Sequence, residues 1–271
     1  NIRETDAILH VIRCFDDDNI IHVEESIDPI RDKEIIDIEL QLKDFETISK
    51  RVEKTKKLAK TGNKDAVKLL SILEKYQEVL EQGKSARVVE LDEEEKELVN
   101  DLNLITAKPV LYVCNVDDAS VVDGNDYVNQ VKKIAEEEHA ELLVVSAQLE
   151  ADIAELEDQE ERDMFLDDAG LKEPGVSKLI RAAYSLLNLS TYFTAGVKEV
   201  RAWTIDKGMT APQAAGVIHT DFEKGFIRAE VIAFADFVEY KSENACKEAG
   251  KLSVEGKDYI VKDGDVMHFR F

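Results

Sequence analysis

The sequence has 271 residues, of which 44% are hydrophobic and 34% are charged, as is typical of a globular protein with one or two cores. Its net charge of −23 argues against a protein that coats nucleic acid along its whole surface. No apolar run approaches the roughly 18 residues that a membrane span needs, so we expect no membrane association. The sequence shows no signal-peptide pattern and begins at Asn1 in mid-pattern, without a methionine or a helix cap, so we expect it to be a fragment.

The three cysteines are far apart and form no Cys-x-x-Cys motif. The sequence therefore predicts neither a disulfide framework nor a zinc site, and a reducing, cytoplasmic setting fits this pattern. His10 lies inside a strand-like run, where a structural histidine is the better interpretation.

The first 60 residues predict a strand followed by a long helix. The segment 7–15 is apolar nearly throughout and predicts a strand buried on both faces. Asp28-Pro29 marks a helix start, and 32–60 contains no Gly or Pro. Apolar residues recur there at spacings of three and four, which predicts one amphipathic helix with a stripe formed by Ile35, Ile38, Leu42, Phe45, Ile48, Val52, Thr55 and Leu58.

A second amphipathic helix is predicted at 65–82, after a break at Thr61-Gly62-Asn63. The short turn predicts an antiparallel hairpin, with coiled-coil packing between its helices. A basic island lies at and beside the predicted tip, formed by Lys50, Arg51, Lys54, Lys56, Lys57, Lys60, Lys64 and Lys68 against only Glu53 and Asp65. Two interpretations stay open: an electrostatic contact with phosphates, or a solvated surface on a rigid spacer.

The segment 91–188 alternates helices and strands. Helices are predicted at 91–106, 126–140, 152–168 and 175–188, and strands at 109–115 and 141–147. This order is typical of an α/β protein with a parallel sheet. The strongly acidic run at 150–168 predicts a solvated helix or loop, to which we assign no chemistry.

The charge and the pattern of predicted elements change between 188 and 197. Residues 188–271 have 11 basic and 13 acidic side chains, so nearly all the negative charge lies before them. Strands are predicted at 197–205, 225–234 and 258–271, with one short helix capped by Thr210 and Gln213. Several strands around one helix predict a β-grasp, ubiquitin-like module.

Two strand ends carry the clearest functional signal. The strand at 109–115 ends in Asn115-Val116-Asp117-Asp118, and the strand at 141–147 ends in Ser146-Ala147. P-loop GTPase-like domains read the base with Asn-Lys-x-Asp and Ser-Ala at these places. There the Asn braces the loops, the Lys stem covers the base, and the Asp accepts two hydrogen bonds from guanine.

The sequence resembles the YchF branch of the Obg-like P-loop NTPases over essentially its whole length. The stretches that carry the resemblance are "NIRETDAILHVIRCF", "DPIRDKEIIDIELQLKD", "TAKPVLYVCNV", "YFTAGVKEVRAWTI", "KGMTAPQAAGVIHTDFEKGFIRAEVI" and "EGKDYIVKDGDVMHFRF". The resemblance implies a GTPase-like parallel-sheet domain, here incomplete, at 1–31 and 99–188. It also implies a coiled-coil hairpin insertion at 32–98 and a C-terminal β-grasp TGS domain at 189–271.

The resemblance further implies ATP binding with Mg²⁺, slow ATP hydrolysis and association with the ribosome. Asn115 would then lie beside the base, the Val116 backbone would read the adenine amino edge, and Ser146 and Ala147 would complete the pocket. The family's usual motif is Asn-x-x-Glu, whereas the fourth residue here is Asp118, which partly restores a guanine-reading carboxylate. We therefore expect ATP in preference to GTP.

The phosphate-binding half of such a site is absent from the sequence. No Gly-x-x-x-x-Gly-Lys-Ser/Thr occurs, so the sequence offers no phosphate cradle, no Mg²⁺ ligands and no catalytic residue. We expect these 271 residues alone to hydrolyse nothing and the activity to belong to a complete protein, with a monomer favoured. The alternative is a non-catalytic module that binds RNA or the ribosome through the hairpin tip and the TGS domain, with Lys50, Arg51, Lys54, Lys56, Lys57, Lys60 and Lys64 as candidate contacts.

Overall fold

A computed structural model describes residues 2–196 and 199–271. The chain divides into two compact units, 1–186 and 187–271, each with its own sheet. The first unit has a parallel sheet with helices, which confirms the predicted mixed α/β architecture.

The sheet of the first unit has three parallel strands in the order β1-β2-β3. They are β1 (Ile8–Arg13), β2 (Val110–Asn115) and β3 (Glu141–Val145). The register aligns Arg13 with Asn115 and Asn115 with Val145, so the three carboxyl ends meet at one edge. The central strand β2 is buried as far as Cys114, because it has a neighbouring strand on each side.

Helices cover this sheet unequally. Five helices follow the hairpin in this unit: α3 (Glu93–Val99), α4 (Asp126–Glu137), α5 (Ala147–Glu155), α6 (Gln159–Asp168) and α7 (Gly175–Leu186). Helix α4 packs Val128, Val131 and Ala135 against one face of all three strands. Helix α7 packs on β2 and β3.

The prediction that β1 is buried on both faces is wrong. Leu9 is 43% exposed and Val11 is 63% exposed. These residues alternate with Ile12, which faces α4, whereas α7 lies over β2 and β3 and leaves the outer strand open on that side.

The predicted helical hairpin is confirmed as α1 (Pro29–Ala59) and α2 (Lys64–Glu81). The Asp28 side chain caps α1 by accepting hydrogen bonds from two backbone N–H groups at 3.1 Å. At the tip, Gly62 has φ +81°, a conformation that favours glycine, and Asn63 caps α2.

The predicted apolar stripe of α1 is only partly correct. Its second half is buried against α2 through Ile48, Val52 and Thr55, except that Leu58 near the tip is exposed. Its first half is not, since the side chains of Ile35, Ile38 and Leu42 are exposed. The reason is length: α1 has 31 residues and α2 has 18, so α2 reaches only the distal half of α1.

Two further helix predictions are corrected by the structure. The helix expected at 91–106 ends as α3, followed by a 3₁₀ turn, because Asn103 takes a left-handed conformation with φ +47°. The acidic helix expected at 152–168 is two helices, α5 and α6. They share a small core formed by Leu149, Ile153, Leu166 and Leu171.

The second unit contains a five-stranded sheet in the order β5-β4-β8-β6-β7. Its strands are β4 (Leu189–Ala195), β5 (Val200–Asp206), β6 (Arg228–Ile232), β7 (Ser253–Glu255) and β8 (Val266–Arg270). Among the strand pairs of the described residues in this unit, β4 with β8 is parallel and the others are antiparallel. The strand predicted at 197–205 begins in residues outside the described part of the chain, and the one predicted at 258–271 is confined to β8.

This unit has more helices than the one predicted: α8 (Ala211–Ile218), α9 (Thr220–Lys224), α10 (Phe234–Tyr240) and α11 (Glu243–Glu248). The expected cap of α8 is confirmed, because Gln213 Oε1 accepts from the Thr210 N–H at 2.8 Å. Helix α8 packs on the sheet through Ala214 and Ala215, and its Ala214 carbonyl accepts from the buried Tyr192 hydroxyl at 2.9 Å.

All three cysteines lie among the described residues and are buried and free. Among the same residues, no helix combines the length and the apolar character that crossing a membrane requires.

Candidate functional site

The carboxyl edge of the three-stranded sheet is formed by residues that continue the strand pairing. The Asn115 carbonyl accepts from the Cys14 N–H at 2.7 Å, and the Val116 N–H donates to the Val145 carbonyl at 2.9 Å. Val116 is 3% exposed, so its side chain belongs to the core beneath the edge. This pairing holds the loops that follow β2 and β3 side by side.

The two sequence signals meet at this edge. Asn115 Oδ1 accepts from the Ala147 N–H at 2.9 Å. The Ser146 hydroxyl donates to Asp118 Oδ1 at 2.5 Å and accepts from the Leu149 N–H at 3.2 Å, so it also caps α5. The structure therefore brings together the five predicted base-binding residues Asn115, Val116, Asp118, Ser146 and Ala147.

Exposure separates these residues into supports and candidate contacts. Ser146 is buried, whereas Asp118 and Ala147 are exposed at the rim of the edge. A short 3₁₀ turn at Asp118–Ser120 orients the Asp118 carboxylate, and the Asp117 side chain caps this turn through the Ser120 N–H at 2.9 Å. An exposed carboxylate and an exposed backbone loop, both held from below, can receive a planar hydrogen-bonding ligand.

Sequence reasoning missed two residues that brace the neighbouring loop after β1. Asn125 donates through Nδ2 to the Cys14 carbonyl at 2.8 Å and caps α4 through Oδ1. The Tyr127 hydroxyl lies 3.1 Å from both carboxylate oxygens of Asp16, and this hydrogen bond raises the pKa of Tyr127. The only local signal was the helix-start pattern Asn125-Asp126, which does not reveal a contact with the loop after β1.

The candidate contacts on the hairpin fall into two groups. Three of them form ion pairs: Lys50 with Glu46 at 2.6 Å, Arg51 with Asp101 at 2.8 Å and Lys56 with Glu74 at 3.5 Å. The side chains of the other four are exposed and form no ion pair or hydrogen bond with any described residue. These four are Lys54, Lys57, Lys60 and Lys64, which we call the tip lysines.

The described residues include one group of acidic and histidine side chains that is compact enough for a metal ion. It consists of Glu230, Glu243 and His268 in the second unit. Glu230 there accepts from Arg270 at 3.0 Å, so its charge is already matched. Within the described part of the chain, the loops around Asn115 offer no comparable group for Mg²⁺.

Comparisons with known proteins agree with one another. A profile for the family YchF-GTPase_C, described as a protein of unknown function (DUF933), matches residues 189–271. Proteins named ribosome-binding ATPase YchF are 56% identical in Haemophilus ducreyi, 55% in Escherichia coli O157:H7 and 53% in Bacillus subtilis. Each match covers all of this chain and 74% of the relative.

A solved structure, of the YchF GTPase from Schizosaccharomyces pombe, is also similar. It matches with a TM-score of 0.84 and 39% sequence identity. The match covers 99% of this chain and 73% of the solved one.

Proposed function

The chain belongs to the YchF family, and on that premise we propose that the full-length protein is a ribosome-associated regulator that binds and slowly hydrolyses ATP. Nucleotide binding is proposed because hydrogen bonds join the loops after β2 and β3 at the sheet edge. These bonds link Asn115 with Ala147 and Ser146 with Asp118. In open parallel sheets, ligands bind outside the carboxyl ends of the strands, where these loops lie.

Adenine recognition in this proposal depends on Val116. A lysine stem at this position would cover the base, whereas the Val116 side chain is buried under the edge. Its N–H is engaged by the Val145 carbonyl, so its own carbonyl is the backbone group that can accept from an adenine amino group. Guanine carries a carbonyl oxygen at that place, and two acceptors facing each other repel.

Asp118 supports GTP as the less favoured alternative. An exposed carboxylate can accept hydrogen bonds from both N–H groups of the guanine edge. The Ser146 hydroxyl holds Oδ1 of this carboxylate. Asp118 is therefore already oriented to accept from a guanine edge.

The phosphates and Mg²⁺ are assigned to other residues of the full-length protein. The 271 residues contain no Gly-x-x-x-x-Gly-Lys-Ser/Thr, so we assign no catalytic residue and no metal ligand to them and expect no hydrolysis by this chain alone. When bound, Mg²⁺ would neutralise charge on the β- and γ-phosphates. The residues of this chain bind and orient the base.

The domain assignment forms part of the proposal. The nucleotide-binding GTPase-like domain takes 1–31 and 99–188, the hairpin insertion takes 32–98, and a β-grasp TGS domain takes 189–271. The five-stranded sheet packed on α8 supports the last assignment.

Ribosome binding is proposed from the names of the relatives together with the tip lysines. These four side chains near the end of the hairpin have no ion-pair partner among the described residues, and their positive charge contrasts with the net charge of −23 for the whole chain. An RNA backbone attracts such a patch and repels the remaining acidic surface. The same observation supports the second candidate function, a non-catalytic module that binds RNA or the ribosome through the tip and the TGS domain.

The test is a titration of the full-length protein with fluorescent ATP and GTP, followed by a hydrolysis assay. We expect tighter ATP binding and slow turnover. Tighter GTP binding would overturn the base assignment, and ribosome binding without any nucleotide binding would favour the second candidate.

A further inference from the structure

The proximal half of α1 is attached to the sheet by a buried ionic cluster. Lys33 has a side chain only 7% exposed, and its Nζ lies 2.7 Å from Asp37 Oδ2 and 2.5 Å from Glu138 Oε1. The Tyr112 hydroxyl, on β2, donates to Glu138 Oε2 at 2.6 Å. We call Lys33, Asp37, Tyr112 and Glu138 the root cluster, since together they join the hairpin, β2 and the end of α4.

Charge is retained within the root cluster. Burial by itself would lower the pKa of Lys33, but hydrogen bonds to Asp37 and Glu138 outweigh it and raise the pKa. Burial would likewise raise the pKa of Glu138, but hydrogen bonds from Lys33 and Tyr112 outweigh it and lower the pKa. The cluster therefore works as paired charges at neutral pH, and such pairs have strict geometric requirements.

A second anchor lies three helical turns farther along α1. Asp44 is fully buried and accepts from the Ile105 N–H at 3.0 Å, the Thr106 N–H at 2.7 Å and the Thr106 hydroxyl at 2.8 Å. Thr106 in turn accepts from the Ala86 N–H at 3.1 Å, just beyond the second hairpin helix. Asp44 therefore ties the middle of α1 to the segment that enters β2, and through Thr106 it also reaches the chain that follows α2.

Both anchors act on the strand that carries the base-recognition loop. Thr106 precedes β2, Tyr112 lies in its middle, and Asn115 ends it. Helix α1 has 31 residues and runs without a break through both anchors to the tip, which lies about 39 Å beyond Lys33 and about 23 Å beyond Asp44. A tilt of about 5° at Lys33 moves the tip by about 3 Å.

We propose that Lys33, Glu138 and Tyr112 are positioning residues that fix the hairpin to β2. A nucleotide at Asn115 and a ribosome at the hairpin tip then bind one rigid element and change each other's affinity. The inference rests on the proposed function. Linkage requires the effect to be reciprocal: the factor by which ATP changes ribosome affinity equals the factor by which ribosomes change ATP affinity.

The test measures this coupling factor in the full-length protein. Ribosome Kd is measured by co-sedimentation with and without a saturating non-hydrolysable ATP analogue, and the analogue's Kd is measured with and without ribosomes. Tyr112→Phe removes one hydroxyl and keeps the ring, and the double variant Lys33→Met/Glu138→Gln removes the charge pair. Lys96→Met is the matched control, because it breaks an exposed pair with Glu93 on α3.

We expect the coupling factor to fall by at least half in Tyr112→Phe and to approach one in the double variant. The control keeps the wild-type factor, and the analogue's Kd for each free variant changes less than twofold. A double variant that does not fold, as judged by thermal unfolding, leaves the decision to Tyr112→Phe.

The outcomes separate the inference from the proposed function. Wild-type protein that does not bind ribosomes overturns the proposed function and the inference together. Wild-type protein that binds ribosomes with a coupling factor of one overturns the inference alone. Variants that bind ribosomes and retain the wild-type coupling factor also overturn the inference alone.

Discussion

The Ser146 hydroxyl donates a 2.5 Å hydrogen bond to the Asp118 carboxylate, across 28 positions of sequence. Ser146 is 1% exposed whereas Asp118 is exposed, so a buried residue positions a surface carboxylate. Asn115 and Ala147 form a second bridge between the same two loops. Each bridge makes a separate prediction about nucleotide binding.

Asp118→Ala should weaken GTP binding far more than ATP binding, because only guanine offers two donors to this carboxylate. Ser146→Ala removes the hydrogen bond that orients Asp118 and should give the same ordering with a smaller loss of GTP affinity, of about tenfold. Titration of the full-length variants with fluorescent ATP and GTP measures both effects. Equal losses for the two nucleotides would show that Asp118 does not contact the base.

Asn115→Ala should lower ATP affinity by about tenfold or more, because the Ala147 N–H loses its acceptor and the loop after β3 is no longer held at the edge. Asn129→Ala on the exposed side of α4 is the matched control and should leave the Kd unchanged. Titration with fluorescent ATP distinguishes the two variants. An Asn115→Ala protein with wild-type affinity would remove this edge from the site.

The tip lysines should dominate any electrostatic contact with RNA. Lys57→Gln/Lys60→Gln should lower ribosome affinity and reduce the slope of log K against log salt by about two, because each lysine that meets a phosphate contributes about one. The matched control is Lys132→Gln/Lys133→Gln, two exposed lysines of α4. Co-sedimentation at several salt concentrations gives both slopes. Equal slopes for the two pairs would mean that the tip does not contact phosphate.

Asp44→Ala should be strongly destabilising. It leaves the Ile105 and Thr106 N–H groups buried without their acceptor, at a cost of about 3 kcal/mol in the free energy of unfolding. Asp101→Ala breaks only the exposed pair with Arg51 and should cost less than about 1 kcal/mol. Urea denaturation compares the two variants. A small effect for Asp44→Ala would show that the entry to β2 is held by other contacts.

Stability should fall in mild acid because of His10, which lies beside Tyr112 with ring centroids 5.7 Å apart. Burial lowers the pKa of His10 from its ordinary 6.5. The negative charges of Asp37 and Glu138 act to raise this pKa, and the positive charges of Lys33 and Arg87 act to lower it further. The unfolded chain therefore binds the proton more readily. The contribution of neutral His10 to the free energy of unfolding is complete above pH 6.5 and is lost as pH falls through the lowered pKa.

His10→Gln removes this titration, so the variant should lose less unfolding free energy than wild type between pH 7 and pH 5. Urea denaturation at each pH measures the difference. His219→Gln, at an exposed histidine of the second unit, is the control. Parallel curves for wild type and His10→Gln would assign the acid sensitivity to other groups.

Local signals predicted the elements that depend on neighbours in sequence. The hairpin turn at Thr61–Asn63 and the Thr210 cap of α8 are confirmed. Both could be predicted because a glycine turn and a helix cap depend on residues within one helical turn. Helix ends were less predictable. The end of α3 depends on a left-handed Asn103, a conformation that its periodicity does not reveal.

Exposure was predicted least well where it depends on which element covers another. Periodicity alone placed Ile38 and Leu42 in the same stripe as Ile48. The structure exposes the first two because α2 is too short to reach them. The same limit explains the exposed Val11 on β1.

The amino-acid sequence was enough to predict the family, the alternation of strands and helices, the hairpin, and the five residues placed at the sheet edge. These features depend on motifs and on periodicity that operate over a few residues. Three-dimensional packing was needed to show which lysines near the tip have no ion-pair partner among the described residues. It was also needed to show that Lys33 and Asp44, charged residues of a helix, are buried anchors. Burial and pairing of a charge depend on partners far away in sequence. The partner of Lys33 at the end of α4 is 105 positions distant, and that of Asp44 at the entry to β2 is 62.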